Sequence, residues 1–185
     1  SLHKTEIVKD LGRKVVQLTE MFTEMANIRW RIVGISGSLL AGLHTAKSDL
    51  DLIVYGAENC LKAHSALKGM LQDETSHFKP YTRKDLRVLF DFRSKDTIMS
   101  FEDFVKVEMR KVLQCKFMGT DYFIRFVKDW NEVEEQYGTI LYKPEGYAKI
   151  KAKVTDDSEA IFTPCCYKIG GVEILEGPHV EAIDE

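Results

Sequence analysis

The chain has 185 residues, of which 44% are hydrophobic and 30% are charged, and its formal net charge is −3 at pH 7. This length suits one full domain with a small appendage, since domains centre on roughly 100 to 150 residues. The charge gives no general attraction to nucleic acids or membranes, so an anionic ligand must be held by a local site. No apolar run approaches the length that a bilayer requires and the N-terminus does not resemble a secretory signal, so we expect a cytoplasmic protein with no membrane partner.

The first part of the chain alternates between helical and extended spacing. Apolar residues recur at steps of three and four over residues 4–26, which predicts a core-facing helix. The period changes to two over residues 28–36, which predicts a strand that ends in glycines. A short helical turn is predicted over residues 38–44, and residues 49–56 are predicted to form the next strand.

Later segments continue this mixture. Helical spacing returns in three segments, the last two of which begin with the Ser/Thr and Asp pairs of a capping box: residues 57–72, 82–94 and 100–118. Residues 120–130 are rich in aromatic and β-branched side chains and alternate, which predicts a further strand. Strands interleaved with helices predict an α+β fold, a mixed sheet flanked by helices.

The character of the chain changes near residue 140. Glycines, prolines and short alternating runs replace the helical periods there, so we predict a main domain over residues 1–135 and a small β-rich C-terminal module over residues 140–185. The module ends without an evident terminal element. A row of lysines (Lys149, Lys151 and Lys153) could follow a nucleic-acid backbone, but protection of an exposed sheet edge is the favoured interpretation.

Two aspartates mark the strand at residues 49–56. Residues two apart in a strand point to the same face and lie about 6.5 to 7 Å apart, so Asp49 and Asp51 share a small patch. At an effective dielectric near 20 their repulsion is about 2 to 3 kcal/mol, and a divalent cation would offset it. Oxygen ligands of this kind suit Mg²⁺, which one or two carboxylates bind together with phosphate oxygens and water.

A glycine and a serine precede these aspartates by about a dozen residues. Gly37 lets a ligand approach the backbone closely, and Ser38 offers a hydroxyl at the start of a helical turn, although helix capping would also explain this serine. Other glycine motifs do not match. Gly42 is not followed by the Lys-Ser/Thr pair of a P-loop, and the glycine spacing fits neither the dinucleotide fingerprint nor the esterase elbow.

The arrangement Gly37-Ser38, ten intervening residues and then Asp49-Leu50-Asp51-Leu52 resembles the signature of the DNA polymerase beta-like nucleotidyltransferase superfamily, in particular its minimal, archaeal-type predicted members. The motif covers residues 32–55, and the order of elements extends the likeness to about residue 130. The resemblance implies Mg²⁺-dependent transfer of a nucleoside monophosphate from a nucleoside triphosphate to a hydroxyl acceptor, which could be protein, RNA or a small molecule.

The resemblance also implies roles for individual residues. Asp49 and Asp51 would hold Mg²⁺, Gly37 and Ser38 would hold the triphosphate, and a third carboxylate would complete the site. Asp121 is our choice for that carboxylate, because it begins a predicted strand and shares a face with Arg125, whose charge could meet phosphate. The alternative is Asp91, which lies in a predicted helix.

Two neighbouring residues are further candidates. Ser48 and Lys47 could orient Asp49 or contact phosphate, although a loop lysine is usually only solvated.

Two other functions stay open. One is a catalytically inactive, antitoxin-like module of the same fold that binds nucleotide or a partner, and the other is a nucleic-acid-binding protein led by the C-terminal module.

Overall fold

The structure is a computed structural model that describes residues 2–94, 99–136, 138–139, 141, 143–144 and 146–177, with side chains from residue 10 onward. Its helices are α1 (Leu2–Ala26), α2 (Gly37–Leu40), α3 (Ala57–Gln72), α4 (Arg83–Arg93) and α5 (Phe101–Glu108). Its strands are β1 (Val33–Ile35), β2 (Leu50–Tyr55), β3 (Phe78–Lys79), β4 (Gln114–Phe117), β5 (Thr120–Val127), β6 (Lys149–Asp156) and β7 (Lys168–Glu176).

The first five strands form one mixed sheet in the order β1-β2-β5-β4-β3. β2 and β5 run parallel at its centre, whereas the other neighbours are antiparallel. Strands β6 and β7 form a separate antiparallel pair. The prediction of an α+β fold with a mixed sheet is therefore confirmed.

One face of the sheet makes the main core. Alternate residues of the two central strands are fully buried, among them Leu52 and Ile124, and they pack with apolar residues of α1 and α3. Each such side chain contributes about 1.5 to 3 kcal/mol when it is fully removed from water. This alternation, read from the sequence, also places Asp51 and Arg125 on the opposite face.

Helices α4 and α5 form a smaller cluster beside the sheet. Leu86, Phe104 and Val105 are buried there, and Phe90 packs against them. The predicted capping box of α4 is confirmed, because the Asp85 N–H donates to Thr82 Oγ1 at 3.2 Å and the Thr82 N–H donates to Asp85 Oδ2 at 2.9 Å.

Two predicted elements were wrong in part. In residues 28–36 only Val33–Ile35 form a strand, because Ile28 anchors the end of α1 in the core while Trp30–Ile32 form a short 3-10 turn. In residues 100–118 the helix ends at Glu108, and Gln114–Phe117 form β4 instead. A two-residue connection with positive φ angles, Met118-Gly119, folds β4 back onto β5.

The C-terminal segment is less separate than predicted. Strands β6 and β7 form their own sheet, but Phe162, from the connection between them, is only 6% exposed and belongs to the main core. The Thr163 N–H also donates to the Phe126 carbonyl at 2.8 Å, beside the end of β5. Within the predicted module, residues 140, 142, 145 and 178–185 lie outside the described residues.

A search of the described helices finds none that is long and apolar enough to cross a bilayer.

Candidate functional site

The candidate site lies on the sheet face opposite the main core. Asp51 pairs with Phe123 in the parallel register of β2 and β5, so Asp121 and Arg125, two residues to either side, lie on the same face as Asp51. Phe123 pairs in turn with Gln114 of β4. With Lys116, which pairs with Asp121, this face therefore presents two acids, two bases and an amide across three adjacent strands, whereas the core face presents mainly apolar side chains.

Gly37 is packed against the carboxyl group of Asp51. The Ser36 N–H donates to the Asp51 carbonyl at 3.0 Å, which brings the end of β1 alongside β2 and places the following glycine next to Asp51. Gly37 has a φ of +61°, and a Cβ added there would lie 2.8 Å from Asp51 Cγ. Both the left-handed backbone and the lack of space require glycine here. The Gly-Ser turn therefore lies directly against Asp51.

Ser38 has an unused hydroxyl. It is the second residue of α2, whose N-cap is Ser36, so capping does not account for Ser38. Its Oγ is shielded from solvent and, among the described residues, has no hydrogen-bond partner. Leaving a buried hydroxyl unpaired costs about 1 to 3 kcal/mol. A ligand oxygen that accepts or donates a hydrogen bond would satisfy it.

The electrostatics of Asp51 favour a cation nearby. Partial burial raises the pKa of this carboxyl group above its usual range, and the neighbouring negative charge of Asp49 raises it further. Arg125 acts in the opposite direction and lowers the pKa. Such a partly desolvated, mutually repelling pair of carboxylates gains from a bound divalent ion, which would remove the repulsion.

Asp121 lies at the end of β5 that adjoins the aspartate pair, but its carboxylate is paired with a lysine of β4. It directly precedes Tyr122, the partner of Leu50, and so lies beside the start of β2, near Asp49. Its carboxylate forms an ion pair with Lys116, whose Nζ lies 3.1 Å from Asp121 Oδ1. In the described part of the chain no three acidic, histidine or cysteine side chains are placed to hold a metal ion together. Asp121 is therefore close to Asp49 and Asp51 in the sheet while its carboxylate is paired with Lys116, and its role as a metal ligand stays a prediction.

Lys116 and Tyr81 connect Asp121 to the rest of this face. Lys116 lies between two acids, since its Nζ is 3.4 Å from Asp85 Oδ1 as well as 3.1 Å from Asp121 Oδ1. Burial alone would lower the pKa of Lys116, but Asp121 and Asp85 outweigh it and raise the pKa. Burial and Asp121 together raise the pKa of the Tyr81 hydroxyl. Sequence patterns do not indicate these partners, because Lys116 comes from β4, Asp85 from α4 and Tyr81 from the connection that precedes α4.

The remaining predicted residues have these positions. Ser48 Oγ accepts a hydrogen bond from the Thr45 N–H at 2.9 Å and closes the turn that leads to Asp49. Lys47 is exposed on the same turn, and Asp91 is exposed on α4. A role for Ser48 or Lys47 in phosphate binding stays a prediction.

His44 is a residue of this loop that sequence reasoning assigned no role. Both of its ring nitrogens are shielded from solvent and lack a hydrogen-bond partner within the described ranges. The preceding residue, Leu43, donates its N–H to the Ser38 carbonyl at 2.9 Å, so the loop folds back onto the Gly-Ser turn. The loop between Gly37 and Asp49 therefore carries two side chains with unused hydrogen-bonding groups. Only the position of His44 between the two halves of the motif could have indicated this.

Two of the three lysines in the β6 row lie opposite acids of β7, whereas Lys153 lies opposite Gly170. Lys151 lies opposite Glu173, and Lys149 Nζ lies 3.4 Å from Glu176 Oε1. Residues 149–177 contain four lysines against five acidic residues, so this sheet has no excess of positive charge. The arrangement supports the protective role of the lysines and gives nucleic acid no basic surface to follow.

Comparison with known proteins gives one relative to report, an archaeal protein described only as "Uncharacterized protein MJ1086", from Methanocaldococcus jannaschii. The two sequences are 36% identical over 137 residues, which is 74% of this chain and 40% of the relative. The chain thus spans less than half the length of that relative. No family model matches the chain. No solved structure matches it either.

Proposed function

We propose that this chain is a Mg²⁺-dependent nucleotidyltransferase domain, which moves a nucleoside monophosphate from a nucleoside triphosphate to a hydroxyl acceptor. The observation that carries the proposal is the packing of Gly37 against the Asp51 carboxyl group, with Asp49 beside it and the unpaired hydroxyl of Ser38 in the adjoining turn. Two acids and a glycine turn with an unpaired hydroxyl supply the kinds of group that a bound metal–triphosphate needs.

The residues fit the metal and the nucleotide in chemical type. Asp49 and Asp51 supply hard carboxylate oxygens and a negative field, and Mg²⁺ accepts one or two such ligands when phosphate oxygens complete its shell. When bound, Mg²⁺ would withdraw charge from the phosphate oxygens and make the phosphorus more open to attack. Ser38 would donate its hydroxyl hydrogen to a phosphate oxygen, and Arg125 would offset the remaining negative charge.

In the proposed transfer one phosphorus–oxygen bond forms and another breaks. The acceptor hydroxyl oxygen forms a bond to the α-phosphorus, and the bond from that phosphorus to the oxygen bridging to the β-phosphate breaks. Pyrophosphate leaves with the bonding electron pair. The hydroxyl proton passes to Asp121, the acid of the neighbouring strand, after its carboxylate turns away from Lys116.

A binding module of the same fold is the second candidate, and the arrangement of Asp121 is the observation that favours it. Because Lys116 holds this carboxylate at 3.1 Å, the chain could bind a nucleotide through Asp49 and Asp51 without completing a catalytic site. Nucleotide binding with no transfer to any hydroxyl compound would support this candidate.

The test compares the native chain with Asp49→Asn and Asp51→Asn. Binding of ATP, GTP, CTP and UTP is measured by calorimetry with Mg²⁺ and with EDTA, and transfer is followed by pyrophosphate release. We expect Mg²⁺-dependent binding of at least one nucleotide, and a loss of about 100-fold or more in transfer rate for each variant, as for removal of a group that stabilises the transition state.

Asp10→Asn is the matched control, since it removes the same charge from an exposed position on α1, which covers the other face of the sheet. It should behave as the native chain does. Binding that is independent of Mg²⁺ and unchanged in both site variants would contradict the proposal.

A further inference from the structure

A cavity of about 260 Å³ lies between α4 and α5. Phe90, Phe104 and Val107 give it apolar walls, and three charged residues, Arg93, Glu108 and Lys111, also line it. An open cleft with apolar walls and a few charged groups in its lining is typical of small-molecule sites.

Among the described residues that line the cavity, positively charged side chains outnumber negatively charged ones two to one. The Glu108 side chain is 5% exposed and lies between Arg93 Nη1 at 3.3 Å and Lys111 Nζ at 2.6 Å. Arg93 Nη2 also donates to Gln114 Oε1 at 2.9 Å. Two cations thus meet one buried anion, and both cations keep further N–H donors and remain partly exposed. The cavity is therefore complementary to an anionic group attached to an apolar body.

The cavity adjoins the candidate site. Gln114, the partner of Arg93, lies beside Phe123, which lies beside Asp51, and two strand spacings correspond to about 10 Å. Tyr81 provides a second connection, because it interacts with Asp121 and packs in the apolar cluster that contains Phe104. These two connections place the cavity on the α4–α5 side of the carboxylates, one residue beyond Gln114 and Tyr81.

The order of strands places the cavity on one particular side of the site. Gly37 and Ser38 follow β1, Asp51 lies on β2 and Asp49 directly precedes that strand. Asp121 lies on β5, and Arg93 of the cavity lining contacts Gln114 of β4. In nucleotidyl transfer the attacking and leaving oxygens lie roughly in line across the phosphorus. With the triphosphate at the Gly-Ser turn, the attacking hydroxyl must approach from the side of β5 and β4.

We propose that the cavity between α4 and α5 binds the acceptor, and that this acceptor is a small hydroxyl compound with an apolar ring or chain and a carboxylate or phosphate group. The inference rests on the proposed function for its transfer step. The anionic group meets Arg93 and Lys111, the apolar body lies between Phe90 and Phe104, and the hydroxyl points toward Asp121.

The experiment titrates the native chain, without nucleotide or Mg²⁺, with 4-hydroxybenzoate, phenyl phosphate and phenol, and follows amide and methyl NMR signals. We expect saturable shifts around Val107 and Phe104, with at least one of the two anions binding about fivefold or more tightly than neutral phenol. The two anions distinguish a carboxylate from a phosphate preference.

Two pairs of variants sharpen the result. Val107→Trp fills the cavity and should abolish the shifts, whereas Val88→Trp, on an exposed face of α4, should leave them unchanged. Lys111→Gln should remove the preference for anions, whereas Lys106→Gln, on the exposed side of α5, should keep it. Unfolding curves confirm that each variant is folded.

Shifts that map elsewhere, or equal binding by native and Val107→Trp chains, would overturn the inference. So would Asp51-dependent transfer that is equally fast in the native and Val107→Trp chains. These failures are separate from a failure of the proposed function, because Mg²⁺-dependent nucleotide binding that requires Asp49 and Asp51 is measured without any acceptor.

Discussion

The two faces of the five-stranded sheet are built from alternate residues of the same strands but have opposite properties. In β2, Leu52 is fully buried under the helices, while its neighbour Asp51 is partly exposed and lies against Gly37. In β5, Ile124 is fully buried, while its neighbour Arg125 is exposed. Stability and the candidate chemistry are thus assigned to adjacent residues, so single substitutions can separate them.

Because stability and the candidate chemistry lie on adjacent residues, we expect the largest difference in stability between substitutions of Leu52 and Asp51, which are neighbours in β2. Leu52→Ala should lower the free energy of unfolding by about 2 to 5 kcal/mol, because it leaves a cavity in a fully buried position. Asp51→Asn should leave it unchanged or raise it, because it removes a partly desolvated charge that Asp49 repels. Urea unfolding at neutral pH measures both values. A loss for Asp51→Asn as large as that for Leu52→Ala would mean that this aspartate is a structural residue.

A second prediction separates the two glycines of the motif loop. Gly37→Ala and Gly42→Ala both place alanine at a positive φ, +61° and +67° respectively, so both pay a similar backbone strain of about 1 kcal/mol. Only at Gly37 would the added methyl group collide with Asp51. We expect Mg²⁺-dependent nucleotide affinity to fall about tenfold or more in Gly37→Ala and to stay within about twofold of native in Gly42→Ala. Nucleotide affinity is measured by calorimetry. Equal losses of affinity in the two variants would contradict a specific clash of the Gly37→Ala methyl group with Asp51.

The same contrast explains which parts the sequence could predict. The alternation in residues 49–56 was unambiguous, because the buried leucines and valine belong to one period and the two acids to the other. The resemblance to the nucleotidyltransferase signature implied one site for Gly37 and Asp51, and these two residues are in contact in the structure. Local patterns were sufficient where one strand and its adjoining turn define the geometry.

Prediction failed where distant segments decide the structure. Residues 112–117 have apolar side chains that suit either a helix or a strand, and pairing with β5 selects the strand. The hairpin turn Met118-Gly119 lacks the Asn or Asp that usually marks such a turn. For the same reason the ion pair between Asp121 and Lys116 was not foreseen, since Lys116 comes from this unrecognised strand.

The smallest expected effect is a shift in the titration of Asp51. Burial and then Asp49 raise the pKa of this carboxyl group, and Arg125 lowers it, so Asp49→Asn should lower the pKa and Arg125→Met should raise it. Carboxyl ¹³C signals followed against pH, without Mg²⁺, give the midpoints. An unchanged midpoint in Asp49→Asn would show that the two acids do not interact.

The raised pKa of Asp51 also determines the direction in which the stability effect of Asp51→Asn changes with pH. A folded state that holds its proton more tightly than the unfolded chain loses stability as the pH rises from the ordinary aspartate range through the raised pKa. Any gain from Asp51→Asn should therefore be fully present near pH 7 and shrink as the pH falls through that raised value. Under the proposed function, affinity for Mg²⁺ should fall over the same interval, because protonation would remove one of the proposed carboxylate ligands. A stability gain that instead grows toward acidic pH would assign the effect to some group other than Asp51, on either face of the sheet.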